Sequence, residues 1–127
     1  MSFKYILDSS AWCEYLKGSE KGTKIHQLVD NGLTAITLLS VAELADKYER
    51  ESRSFDKTLQ FIKSKAPILS LDLPIVLEAA KIKKKQRLAR NKFGLVDALH
   101  LSTAKQYNVT FVTTDHDFQG LDNVFVL

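Results

Sequence analysis

Five short apolar segments, separated by longer amphipathic stretches, constrain the fold of this chain more than any other feature. They fall at residues 3–7, 33–38, 68–71, 109–113 and 123–127 and are predicted to be strands. Strands that alternate with helices form a mostly parallel sheet, because each crossover returns the chain in the same direction. The prediction is an α/β fold of three layers, a five-stranded sheet flanked by helices, in one domain spanning residues 1–127.

Helix signals lie between these strands. A first helix is expected after the capping candidates Asp8, Ser9 and Ser10. Ser40 and Glu43 have the spacing of a capping box, which predicts that a helix begins there. Further helices are predicted over residues 23–29, 55–65, 74–89 and 95–107.

Composition limits the classes of protein to consider. The chain has 127 residues with an apolar fraction of 45% and one cysteine, Cys13, so it can bury a core but cannot form an internal disulfide. No segment approaches the roughly 20 apolar residues that span a bilayer. We therefore expect a cytoplasmic protein with no membrane association. The net charge of +3 permits an anionic partner without requiring one.

Acidic residues follow the predicted strands. Asp8 directly follows the first strand, and Asp115 and Asp117 follow the fourth. Glu43 lies a few residues past the second strand, and Asp97 lies in the first turn of a predicted helix. Because parallel sheets bind ligands beyond the carboxyl ends of their strands, these acids predict a shared site.

Asp97 lies in the apolar run Leu95-Val96-Asp97-Ala98-Leu99, which predicts that it is buried. A buried carboxylate needs a compensating cation or basic group. Carboxylate ligands suit Mg²⁺ or Mn²⁺ rather than zinc. Each acid also has a purely structural interpretation. Asp8 and Glu43 would cap helices, and Asp115 and Asp117 would form turns.

Three blocks of the sequence together resemble the PIN-domain family, and within it the VapC-type toxins of toxin–antitoxin pairs. They are YILDSSAW, LLSVAELADKY and GLVDALHLSTAKQYNVTFVTTDHDF, and they match the family in order and spacing nearly end to end. The resemblance implies a metal-dependent endoribonuclease that hydrolyses RNA phosphodiester bonds through a metal-activated water, with a small antitoxin as partner and a homodimer as assembly. It implies that Asp8, Glu43, Asp97 and Asp115 are catalytic and hold Mg²⁺ or Mn²⁺, with Asp117 as second choice for Asp115 and with Ser9 and Thr113 supporting them.

Positive charge is concentrated between residues 81 and 92. Contact with RNA phosphates is one interpretation, and a solvated helix face is the other. The candidates for RNA binding are Lys81, Lys84, Lys85 and Arg87.

Two further interpretations remain open. One is an RNA-binding module without catalysis, and the other is an RNA-processing protein that is not a toxin. A receiver domain is disfavoured because Asp8 has no acidic neighbour. A phosphatase with an Asp-x-Asp motif is disfavoured because Ser10 stands at the second position.

Overall fold

A computed structural model describes residues 3–127. It contains a five-stranded, all-parallel sheet with the strand order β3-β2-β1-β4-β5, which confirms the predicted fold. The strands are β1 (Tyr5–Leu7), β2 (Thr34–Thr37), β3 (Ile68–Leu69), β4 (Thr110–Thr113) and β5 (Val124–Val126). The helices are α1 (Ser9–Lys17), α2 (Glu20–Thr23), α3 (His26–Asp30), α4 (Leu38–Arg50), α5 (Asp56–Lys65), α6 (Leu73–Gln86) and α7 (Leu95–Tyr107), with a 3₁₀ turn at His116–Phe118.

The sheet separates two apolar cores. Neighbouring residues of a strand point to opposite faces, so Ile6 and Phe111 enter one core while Leu7 and Val112 enter the other. Trp12 of α1 is fully buried in the core that contains Leu7 and Val112. Strands buried on both faces explain the continuous apolar segments of the sequence.

Two predicted helices differ from the structure. The helix predicted over residues 23–29 is two short helices, α2 and α3, because Lys24 and Ile25 interrupt it. The helix expected to reach residue 89 ends at Gln86, and residues 87–89 form a turn. By contrast, α7 has the predicted bounds, and Pro74 lies in the first turn of α6 as expected.

The capping box predicted at Ser40 is wrong. The α4 helix begins at Leu38, and the Thr37 side chain accepts a hydrogen bond from the Ser40 amide over 3.1 Å. Thr37 performs the capping role because it ends β2 in extended backbone directly before the helix. Glu43 therefore lies in the second turn of α4, where its side chain is not used as a cap.

Candidate active site

The strand order places β1 between β2 and β4. From β1 the chain first adds β2 and β3 on one side of the sheet, and then returns to add β4 and β5 on the other side. Such a switch point opens a crevice at the carboxyl ends of the strands. Asp8, the residue after β1, lies at this point, and its amide donates to the Val112 carbonyl over 3.0 Å. The end of β1 and the end of β4 are thus joined at the predicted site.

Asp8 is the buried acid of this site. Its residue exposure is 8%, and its carboxylate accepts hydrogen bonds on both oxygens. Oδ1 accepts from the Ser10 hydroxyl at 2.6 Å and the Ala11 amide at 2.9 Å, while Oδ2 accepts from the Thr113 hydroxyl at 2.6 Å. Burial nevertheless raises the pKa of Asp8, because the three donors do not replace the lost hydration.

Asp115 is joined to Asp8 through Thr113. The Asp115 amide donates to the Thr113 hydroxyl over 3.0 Å, and its own Oδ1 accepts from the Asp117 amide over 2.9 Å. The turn that was the alternative, structural interpretation of these two acids is therefore present. Both Asp115 and Asp117 have exposed side chains. Of the two, Asp115 has the direct link to the Asp8 network.

Glu43 approaches the site from α4. Its Oε1 accepts from the Ser9 hydroxyl over 3.3 Å and lies 3.5 Å from Nε2 of His100. The His100 imidazole, followed by the weaker Ser9 hydrogen bond, lowers the pKa of Glu43 against the opposing effect of burial. Glu43 is therefore ionised at neutral pH, as a metal ligand must be.

The prediction that Asp97 is buried among apolar neighbours is wrong. Leu95 and Val96 are 48% and 45% exposed, and Asp97 itself is only half-buried. Its Oδ2 accepts from the Gly94 amide over 2.8 Å, across the first turn of α7. The two preceding residues face solvent because only one stripe of α7 packs against the protein. Asp8, and not Asp97, is the buried acid.

Two residues near the acids were not predicted to belong to the site. Ser10 bonds Asp8 and also accepts from the Thr114 amide over 3.1 Å. His100 lies three residues after Asp97, so both are on the same face of α7. That spacing was the available signal for His100, but its contact with Glu43 depends on how α4 and α7 are placed.

The four candidate acids would suit a hard cation by their chemistry, since carboxylate oxygens are the ligands that such ions prefer. Among residues 3–127, however, no three His, Cys, Asp or Glu side chains already converge as a metal centre. An open groove of about 720 Å³ lies between α1 and α4, and Glu43 is the one candidate acid that lines it. Its lining also includes Ser9 and Ser10, together with the basic residues Lys17, Lys47 and Arg50.

The predicted basic surface is exposed at Lys81, Lys84 and Lys85. Arg87 is also exposed, but its guanidinium donates to the Phe93 carbonyl over 3.2 Å. Part of the positive charge thus stabilises the turn between α6 and α7. In the described part of the chain, no helix is both long and apolar enough to cross a membrane.

Several solved structures share this fold. A chain of a toxin–antitoxin complex from Klebsiella pneumoniae superposes with a TM-score of 0.77 at 17% identity, covering 96% of both chains. A chain of VapBC2 from Rickettsia felis, bound to a promoter DNA fragment, has a TM-score of 0.75 at 19% identity, covering 97% of this chain and 96% of the other. For DNA-bound VapBC from Salmonella typhimurium the TM-score is 0.72 at 15% identity, with 98% and 97% covered.

The sequence comparison identifies the family. No curated protein is significantly similar to this chain in sequence. A model of the PIN domain, however, matches residues 5–124, which include strands β1 to β4, the start of β5 and all four candidate acids. This chain belongs to the PIN-domain family.

Proposed function

We propose that this protein is a Mg²⁺- or Mn²⁺-dependent endoribonuclease and the toxin of a toxin–antitoxin pair. Members of the PIN-domain family are nucleases, which supports the reaction class. The observation that carries the proposal is the buried Asp8 carboxylate at the switch point of the sheet, linked through Thr113 to Asp115.

The fit to a cation rests on Asp8. Three donors contact its carboxylate, yet burial still raises its pKa, so its negative charge is only partly compensated. A bound divalent ion would supply the missing compensation and favour the ionised carboxylate. Asp97, Asp115 and Glu43 would complete the oxygen ligand set, with Asp117 as second choice for Asp115.

The proposed reaction is hydrolysis of an RNA phosphodiester. A bound ion would lower the pKa of a water molecule and neutralise charge on the phosphoryl oxygens. The protein's own contribution is to hold its carboxylates in place. Thr113 and Ser10 fix Asp8, and Ser9 contacts Glu43. Fixed ligands reduce the reorganisation that the reaction would otherwise need.

The RNA substrate would be bound by exposed basic residues at the end of α6. They are Lys81, Lys84 and Lys85, with Arg87 beside them. The chain continues from α6 through residues 87–94 to α7, whose first turn holds Asp97. Cations here would bind the phosphate backbone and guide the strand towards the acids.

The proposed partner is a small antitoxin. This part of the proposal is supported by structural neighbours that are components of toxin–antitoxin complexes. The homodimer remains a prediction from the family resemblance, and so does the cytoplasmic location.

The deciding experiment is cleavage of single-stranded RNA by the purified protein with Mg²⁺ or Mn²⁺ and with EDTA. We expect cleavage that EDTA abolishes and that Asp97→Asn lowers at least about 100-fold, as for loss of a charge-stabilising group. Asp72→Asn is the matched control, because Asp72 caps α6 over 3.0 Å outside the site. RNA binding that ignores divalent ions and survives Asp97→Asn, without cleavage, would instead support the binding-module interpretation.

A further inference from the structure

His100 has an environment unlike that of an ordinary core residue. It lies in the middle of α7, is 4% exposed, and stacks on Phe111 with ring centroids 5.2 Å apart. Its Nε2 faces the Glu43 carboxylate at 3.5 Å. Its Nδ1 is buried and has no hydrogen-bond partner among residues 3–127.

The unpartnered Nδ1 shows that packing alone does not account for this histidine. A leucine would also pack on Phe111 and would leave no buried polar atom unsatisfied. A buried polar atom without a hydrogen bond destabilises the folded state, because it loses its hydration without compensation. Residues that carry such a cost without a structural gain are expected at functional sites.

Glu43 is the group that gains from this contact. Its side chain is 45% exposed and would otherwise sample several rotamers. Ser9 from α1 and His100 from α7 both contact the same oxygen, Oε1. Contacts from two helices hold this carboxylate of α4 beside Ser9, the residue that follows Asp8 in the chain.

We propose that His100 is a positioning residue that holds Glu43 for divalent-cation binding and RNA cleavage. The inference rests on the proposed function, since it assigns a role within that site. Groups that orient metal ligands typically change metal affinity or activity 10- to 100-fold when they are removed.

The test measures Mn²⁺ affinity by calorimetry and kcat on RNA, using the full chain. His100→Leu removes the donor, and His100→Gln returns an N–H at similar reach. We expect a 10- to 100-fold loss in both quantities for leucine and recovery of most of it for glutamine. His26→Leu is the matched control, because His26 pairs with Asp30 at 3.0 Å outside the site.

A double-mutant cycle with Glu43→Gln separates positioning from packing. If His100 acts through Glu43, His100→Leu should cost less than about 2-fold in the Glu43→Gln background. An equally large loss in that background, or equal losses for leucine and glutamine, would overturn the inference. If His100→Leu does not fold, His100→Asn replaces it, since its shorter amide is withdrawn from Glu43.

The two proposals fail in different ways. A wild-type protein that binds no Mn²⁺ and cuts no RNA refutes the proposed function and this inference with it. An active wild type with an unaffected His100→Leu variant refutes the inference alone.

Discussion

Thr113 donates a hydrogen bond to Asp8 over 2.6 Å, although 105 positions separate them in the chain. The same hydroxyl oxygen accepts from the Asp115 amide over 3.0 Å. One fully buried threonine therefore joins the ends of β1 and β4 and connects two candidate cation ligands.

Replacing this hydroxyl tests the connection. Thr113→Val keeps the shape but leaves Asp8 without one donor and the Asp115 amide without its acceptor. We expect a loss of about 1–3 kcal/mol in the free energy of unfolding, measured by urea denaturation, together with weaker Mn²⁺ binding. Thr113→Ser should restore both. Thr110→Val, at the other end of β4, is the control and should leave Mn²⁺ affinity unchanged.

Asp8 should make stability depend on pH. Burial raises its pKa above 3.8, so the folded state binds its proton more tightly than the unfolded state. The resulting stabilisation is complete below pH 3.8 and is lost as the pH rises through the folded pKa. Without divalent ions, Asp8→Asn should therefore increase the free energy of unfolding at pH 7. The increase should be about 1.4 kcal/mol for each pH unit by which the folded pKa of Asp8 exceeds its unfolded pKa.

Urea denaturation in EDTA between pH 4 and 8 measures this gain, which should shrink towards the acid end. The exposed Asp122 offers a control, because Asp122→Asn should give no comparable gain. If Asp8→Asn increased the free energy of unfolding equally at every pH, the increase would not arise from the raised pKa of Asp8. Added Mn²⁺ should stabilise the wild type more than Asp8→Asn, since a ligand stabilises the state that binds it.

Arg90 should control the order of the loop that carries Asp115. Its guanidinium donates to the carbonyls of Asp117 and Gln119 over 3.2 and 3.0 Å. Arg90→Ala should cost about 1–2 kcal/mol and speed hydrogen exchange of the 115–119 amides, measured by mass spectrometry. RNA cleavage should fall in parallel. Lys92→Ala is the control, because it removes an exposed charge two residues from Arg90 and should change neither hydrogen exchange nor cleavage. Unchanged hydrogen exchange in Arg90→Ala would show that Arg90 does not order this loop.

The lysines of α6 should set the salt dependence of RNA binding. The experiment uses the inactive Asp97→Asn protein, so that RNA is bound but not cut. Changing Lys81, Lys84 and Lys85 to Glu in this protein should weaken its binding of RNA. It should also reduce the slope of log affinity against log salt by about 2, since each phosphate contact contributes about 0.7 on single strands. The control reverses three exposed lysines elsewhere, Lys24, Lys57 and Lys63. Equal effects of both triple variants would show that only net charge matters.

Local patterns were sufficient for the elements that depend on local signals. The α7 helix has its predicted bounds because Gly94 precedes it and Asn108 ends it in left-handed backbone. The capping of α4 was assigned to the wrong residue, because Thr37 and Ser40 both suit that role. Only the end of β2 decides between them. The gap between α2 and α3 was likewise not predicted, because its two residues, Lys24 and Ile25, are neither glycine nor proline.

The sequence by itself determined the five strands, their parallel arrangement and the acids that follow them, because strand period and crossover length are local properties. Only the tertiary structure decided which acid is buried. Asp97 has apolar neighbours in sequence but lies partly in solvent, whereas Asp8 is enclosed by Ser10 and Thr113. The tertiary structure also brought His100 to Glu43. Burial and pairing depend on segments far apart in the chain, so neighbouring residues do not specify them.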